Sequence, residues 1–216
     1  MAHTRLMSSI TATALTLSCI VQTASFSLLT QAQAAEGKPV TIRGRVSSVE
    51  GQNLKVITVG GEVLVKLPDD LRVSGSAPAK LSDVTEGSYI GATSRPQPDG
   101  TLRAVGINIF PPERRGTLDT HRPWDIPGTT MTNATVEKIE QTRVEKVEGP
   151  MLHLKYKGGE AKLFAPPDTP VARNVSGSRD LIKPGAGVVV TSTQAPDGTI
   201  TAVRITAGID GIMPPM

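Results

Sequence analysis

The chain has 216 residues, a formal net charge of +3 and 38% hydrophobic residues, with 21 glycines and 17 prolines. That profile fits one or two small, turn-rich β domains and is not the profile of a disordered chain. Aromatic residues make up only 3%, which argues against nucleic-acid and carbohydrate readers, because both stack their ligands on aromatic rings.

Residues 1–34 read as an export signal. Arg5 gives a positive start, Ile10 to Leu29 carries no charge, and Ala32-Gln33-Ala34 offers a small-residue cleavage site before Ala35. Thr, Ser and Gln interrupt the apolar run, whereas a membrane anchor needs roughly 20 mostly apolar residues. The sole cysteine, Cys19, lies inside this segment, and its neighbours Thr16-Leu17-Ser18 fit a lipoprotein signal poorly. The expectation is a periplasmic protein whose mature chain has no cysteine and no transmembrane span, and so no disulfide.

Short strands follow in order. Val40, Ile42, Gly44 and Val46 alternate with Thr41, Arg43 and Arg45, the pattern of a half-buried strand. Gly51-Gln52-Asn53 turns into Leu54–Thr58, and Gly60-Gly61 turns into Glu62–Leu67. Pro68-Asp69-Asp70 ends that pair, and the stretch Ser74–Lys80 reads as a loop. Leu81–Gly87 reads as one helical turn closed by Gly87. Tyr89–Thr93 and Leu102–Ile109 are strands joined by a Pro-Asp-Gly turn.

The same series then recurs. At an offset of 98, Gly51–Ile109 aligns without a gap to 149–207, and 18 of 59 positions are identical. They include Gly60-Gly61-Glu62 with Gly158-Gly159-Glu160, Gly87 with Gly185, and both Pro-Asp-Gly-Thr runs. Upstream the offset is 90, pairing Val46 with Val136 and Val49 with Ile139. The second copy therefore carries eight extra residues, Gln141–Glu148, which lengthen its first hairpin. The fold class expected is all-β: two tandem OB-like or SH3-like barrels, 35–110 and 130–207, with a proline-rich strap at 111–129 and a tail at 208–216. Small sheets of this size close into barrels to remove open edges.

The stretches "LSDVTEGSYIGATSRPQPDGTLRAVGINIF", "HRPWD", "TMTNATV", "YKGGE" and "GIMPP" resemble a family of exported proteins, common in Gram-negative proteobacteria, built on a repeated β domain of unknown function. The resemblance covers essentially all of the mature chain and brings no established catalytic residues, so no site is carried over from it. Some relatives carry the label of a metal-transporter permease; that label needs several membrane spans, and nothing after the signal reads as one.

Chemistry is sparse. Asp69, Asp70, Asp99, Asp168 and Asp197 all fall at turns, where Asp bonds locally; no nucleophile elbow or phosphate loop is present. The reading is therefore non-catalytic: binding or structural support in the cell envelope. The alternative function is periplasmic metal handling, copper first: Met151 and His153 alternate on one strand, so they share a face, and with the C-terminal "MPPM" they are the candidate ligands. In the strap, Arg122, Trp124 and Asp125 are the candidates for partner binding, Trp and Arg being common interface anchors. The favoured reading of Trp124 is structural all the same, a ring packed over a barrel, because a single Trp beside small cores is valuable for packing. Mass spectrometry of the native protein is expected to show a chain starting near Ala35; an intact Met1–Ala34 would overturn the export reading.

Overall fold

A computed structural model describes residues 37–144 and 146–215; the proposed export signal and Met216 lie outside them. The strands are β1 (Lys38–Glu50), β2 (Asn53–Thr58), β3 (Gly61–Lys66), β4 (Arg72–Ala79), β5 (Tyr89–Pro96), β6 (Leu102–Ile109), β7 (Thr120–Pro123), β8 (Thr130–Val144), β9 (Val147–Tyr156), β10 (Gly159–Phe164), β11 (Val171–Ser176), β12 (Gly187–Gln194) and β13 (Ile200–Gly208). Single 3-10 turns sit at Leu81–Asp83, Pro112–Arg114 and Arg179–Leu181. The all-β class expected from the sequence holds.

Hydrogen bonding runs in the order β10-β9-β8-β5-β6-β11-β4-β13-β12-β1-β2-β3, with β7 beside β8. Two short parallel contacts close this path on itself, β10 against β6 and β13 against β3. The result is two five-strand rings. The middle ring holds β5, β6, β8, β9 and β10 around Ile90, Ile107, Leu152, Leu154 and Leu163. The terminal ring holds β1, β2, β3, β12 and β13 around Leu54, Val56, Val65, Val190 and Ile205.

The two copies are thus not two barrels in tandem, and the boundaries 35–110 and 130–207 do not divide the rings. Each ring combines the first three strands of one copy with the last two of the other. The physical cause is β4, the stretch expected to be a loop. It is an extended strand, and at about 3.3 Å per residue its eight residues carry the chain roughly 26 Å onward instead of folding it back. Its counterpart β11 does the same in the opposite direction. The two lie antiparallel, with Ser76 opposite Asn174. These residues stand 98 positions apart, so the pair marks a pseudo-twofold axis between the rings.

The ladders recur about that axis. Ile205 faces Val73 on one side and Ile107 faces Val171 on the other. Ile42 faces Val190, and Thr132 faces Ala92. Even the register shifts repeat, at Thr93/Ser94 and Thr191/Ser192 and again at Val46/Ser48 and Val136/Lys138. The Pro-Asp-Gly-Thr turns match in detail. Gly100 and Gly198 take φ of 81° and 86°, a left-handed conformation that glycine adopts without strain. The Asp99 and Asp197 carboxylates accept the Thr101 and Thr199 N–H at 2.9 and 2.8 Å. Hydrogen bonds from those threonines hold both carboxyls below the ordinary aspartate range.

Reciprocal exchange predicts which core residues couple. Ile42 and Val190 come from different copies but share a ladder and a core, whereas Ile42 and Ile90 come from one copy and lie in different cores. In a denaturant double-mutant cycle, Ile42→Val with Val190→Ala is expected to couple by about 0.5 kcal/mol or more, and Ile42→Val with Ile90→Val to be additive within about 0.5 kcal/mol. The reverse ranking would contradict the exchanged pairing.

Candidate functional site

The strap leaves β6 through Phe110, whose ring sits 5.5 Å from that of Tyr89. Gly91 makes room for it, because a Cβ there would lie 2.9 Å from the Phe110 ring. The buried Tyr89 hydroxyl accepts the Leu118 N–H at 3.1 Å. Burial and then the adjacent Asp119 carboxylate push this phenol up to about 12. Asp119 also accepts the Lys157 N–H at 2.8 Å. β7 then pairs with β8, and His121 stacks on Tyr156 at 5.3 Å.

Beyond β7 the strap crosses to the other ring. Arg43 of β1 grips Asp125 with two hydrogen bonds, at 2.9 and 3.0 Å. Arg122 lies 4.6 Å over the Trp124 ring, and Trp124 is half-buried. Arg122 and Trp124 thus meet each other, while Asp125 points away to Arg43 and ties the two rings. The tail is a second tie. Gly187 and Gly208 of the terminal ring and Gly106 of the middle ring have no side chain where residues 212–215 pass; a Cβ at Gly208 would fall 1.9 Å from the Ile212 carbonyl, and one at Gly106 2.6 Å from that of Pro215.

Met151 and His153 share a face of β9 as the alternation implies. His153 Nε2 donates to Glu140 Oε2 at 3.0 Å, and that carboxylate also pairs with Lys138. Hydrogen bonds first from Lys138 and then from His153 hold Glu140 below the usual carboxylate range. Met213 sits at the other ring, with its sulfur beside Gly187. These candidate thioether and imidazole ligands are thus divided between the two rings.

The feature not foreseen is a groove of about 330 Å³ at one end of the middle ring. Its apolar wall is Leu81, Val84, Ile139, Pro150, Leu152 and Pro167, with Ser82 and Gln141 at the rim. A volume near 300 Å³ lies at the lower bound for small-ligand sites. The terminal ring offers an internal comparison. There Leu81, Pro150 and Pro167 are replaced by Arg179, Gln52 and Asp69. Arg179 hydrogen-bonds the Pro68 carbonyl, and Gln52 donates to Asp69 at 2.9 Å. One ring end is laced with polar contacts, and the other is lined with apolar side chains. The sequence holds this signal in the eight extra residues and in those three exchanges, which become visible once the copies are aligned.

Comparison with protein-family models, curated proteins and solved structures finds no match.

The Arg43–Asp125 tie has a pH signature. Burial alone would raise the Asp125 carboxyl, but the Arg43 hydrogen bonds and charge outweigh it and hold the group below the ordinary aspartate range. A depressed folded value stabilises the fold above the unfolded value of about 3.9 and is lost as pH falls through the folded value. Asp125→Asn is expected to cost about 1 kcal/mol or less at pH 7, since the pair is only partly shielded. Its stability is expected to fall less steeply than wild type between about pH 5 and pH 2. Parallel stability curves over that range would show that the tie contributes nothing.

Proposed function

We propose that this is an exported, non-catalytic binding protein of the cell envelope, grown from a duplicated β unit, with the groove of the middle ring as its ligand site. The observation that carries the reading is the divergence of two otherwise superimposable ring ends. Twelve strands repeat their registers, yet one end is polar and bridged while the other is apolar and open. Apolar side chains left uncovered at one site, where their counterparts are polar, point to a face selected for contact rather than for folding.

The signal-like pattern of residues 1–34, a positive start, an uncharged apolar run and Ala32-Gln33-Ala34, supports the envelope address. The placement of the aspartates supports the non-catalytic reading, since Asp99 and Asp197 bond their own turns and Asp69 and Asp125 bond Gln52 and Arg43. The strap and tail support a rigid scaffold, each fastening one ring to the other. A small preformed groove on such a scaffold loses little entropy on binding.

The fluorescent apolar probe 8-anilinonaphthalene-1-sulfonate tests this. The folded mature protein is expected to bind it at one saturable site. Leu81→Arg, which imitates the counterpart Arg179, is expected to weaken that binding at least ten-fold and leave the thermal unfolding midpoint within a few degrees, because Leu81 is only partly buried. Binding that survives Leu81→Arg unchanged, or no saturable binding by the wild type, would overturn the groove as the site.

A further inference from the structure

The groove is bordered by an unpaired strand edge, and its geometry names a class of ligand. β8 is hydrogen-bonded to β5 through Thr135, and the Val136 backbone then pairs with Gly87 and Ser88. Beyond that point β8 continues to Val144 with, among the described residues, β9 on one side only. Gln141 faces Pro150 across this ladder. Pro150 has no N–H, and its carbonyl accepts from Ala165, on the side away from β8. Gln141 therefore stands at a non-hydrogen-bonded position, with its own N–H and C=O aimed outward. By the same alternation, the Ile139 and Arg143 backbones point outward too. The Ile139 N–H is taken by the Glu86 carboxylate at 3.1 Å. The Ile139 carbonyl and both backbone groups of Gln141 and Arg143 have no partner among the described residues.

From these groups we infer that the groove binds an extended peptide segment, which adds to the edge of β8 as a further strand and sets an apolar side chain between Leu81 and Pro167. This inference rests on the groove being the ligand site. The spacing fits the chemistry. A guest strand beside β8 runs in line with β5, where the existing ladder stops, so it continues an interface already built. Its alternate side chains stand on the face shared by Ile139 and Gln141, which is the face that lines the groove. Main-chain hydrogen bonds would then give affinity and the groove would give selection for an apolar residue. The counterpart edge in the terminal ring is missing, because β1 ends at Glu50 and turns at Gly51, where the second copy has its eight extra residues. The insertion thus supplies both the edge and one wall of the groove.

The test uses the folded mature protein and an acetylated, amidated seven-residue peptide that alternates threonine with leucine. Binding is followed by amide NMR shifts and by affinity. The inference expects shifts centred on 139–143 and 81–86, at least ten-fold weaker binding when alternate peptide amides are N-methylated, and at least five-fold weaker binding to Gln141→Pro. That variant removes an outward N–H and the Gln141 side chain at the groove but no hydrogen bond of the β8–β9 ladder, so an unchanged unfolding midpoint is expected with it. Equal affinity of the N-methylated peptide would overturn strand addition while leaving the groove reading intact. Loss of both peptide and apolar-probe binding would overturn both. Concentration-dependent self-association through 139–143 that the peptide cannot displace would assign the edge to a second copy of the chain and overturn the peptide.

Discussion

Everything in this molecule depends on one antiparallel pair, β4 with β11. The pair stands between the rings, and each of its strands also joins one ring by a parallel ladder, β4 to β13 and β11 to β6. Because each strand is extended, each delivers the remainder of its copy to the other ring. Close approach along the pair requires the absence of side chains at two points: a Cβ at Gly75 would lie 2.7 Å from the Val175 side chain, and one at Gly177 would lie 2.8 Å from the Ser74 backbone. Neither ring is complete without strands from both copies. The strap and the tail then add ties between the rings: the strap leaves β6 and touches β1 through Asp125 before returning to β8, and the tail leaves β13 and ends beside Gly106 of the middle ring.

Local chemistry was legible in the sequence where it alone decides the outcome. The Pro-Asp-Gly-Thr turns, the Gly87 and Gly185 stops and the alternating strands are set by φ preference and by period-two burial, and they stand where the residues place them. The exchange was not legible. The β4 sequence, Arg-Val-Ser-Gly-Ser-Ala-Pro-Ala, has no alternation and contains Pro78, so local propensity reads it as a loop. It is a strand because β13 and β11 supply partners on its two sides, and Pro78 is tolerated where the β13 ladder has already ended, at Ser76. The ambiguous register across Ser74–Lys80 marked the very segment where the chain changes rings.

The candidate residues divide in the same way. Arg122 and Trp124 stack within the strap as near neighbours in the chain, whereas the partner of Asp125 is one that no sequence spacing reveals, since Arg43 lies 82 positions away. The groove residues are ordinary one by one. Leu81, Pro150 and Pro167 acquire meaning only through their counterparts, where Arg179, Gln52 and Asp69 close the equivalent ring end. A duplicated chain carries its own control. Positions that keep the same role in both copies hold the fold, and positions that differ at a shared location are where the copies took on separate work.

The central claim is the exchange of halves, and the direct measurement is the set of long-range backbone nuclear Overhauser contacts in an isotopically labelled chain of residues 35–216. The account predicts contacts from Ile42 to Val190 and from Val73 to Ile205, the partners across the β1–β12 and β4–β13 ladders. Contacts from Ile42 to Ala92 and from Val73 to Ile107 would instead place each copy in its own ring and contradict it.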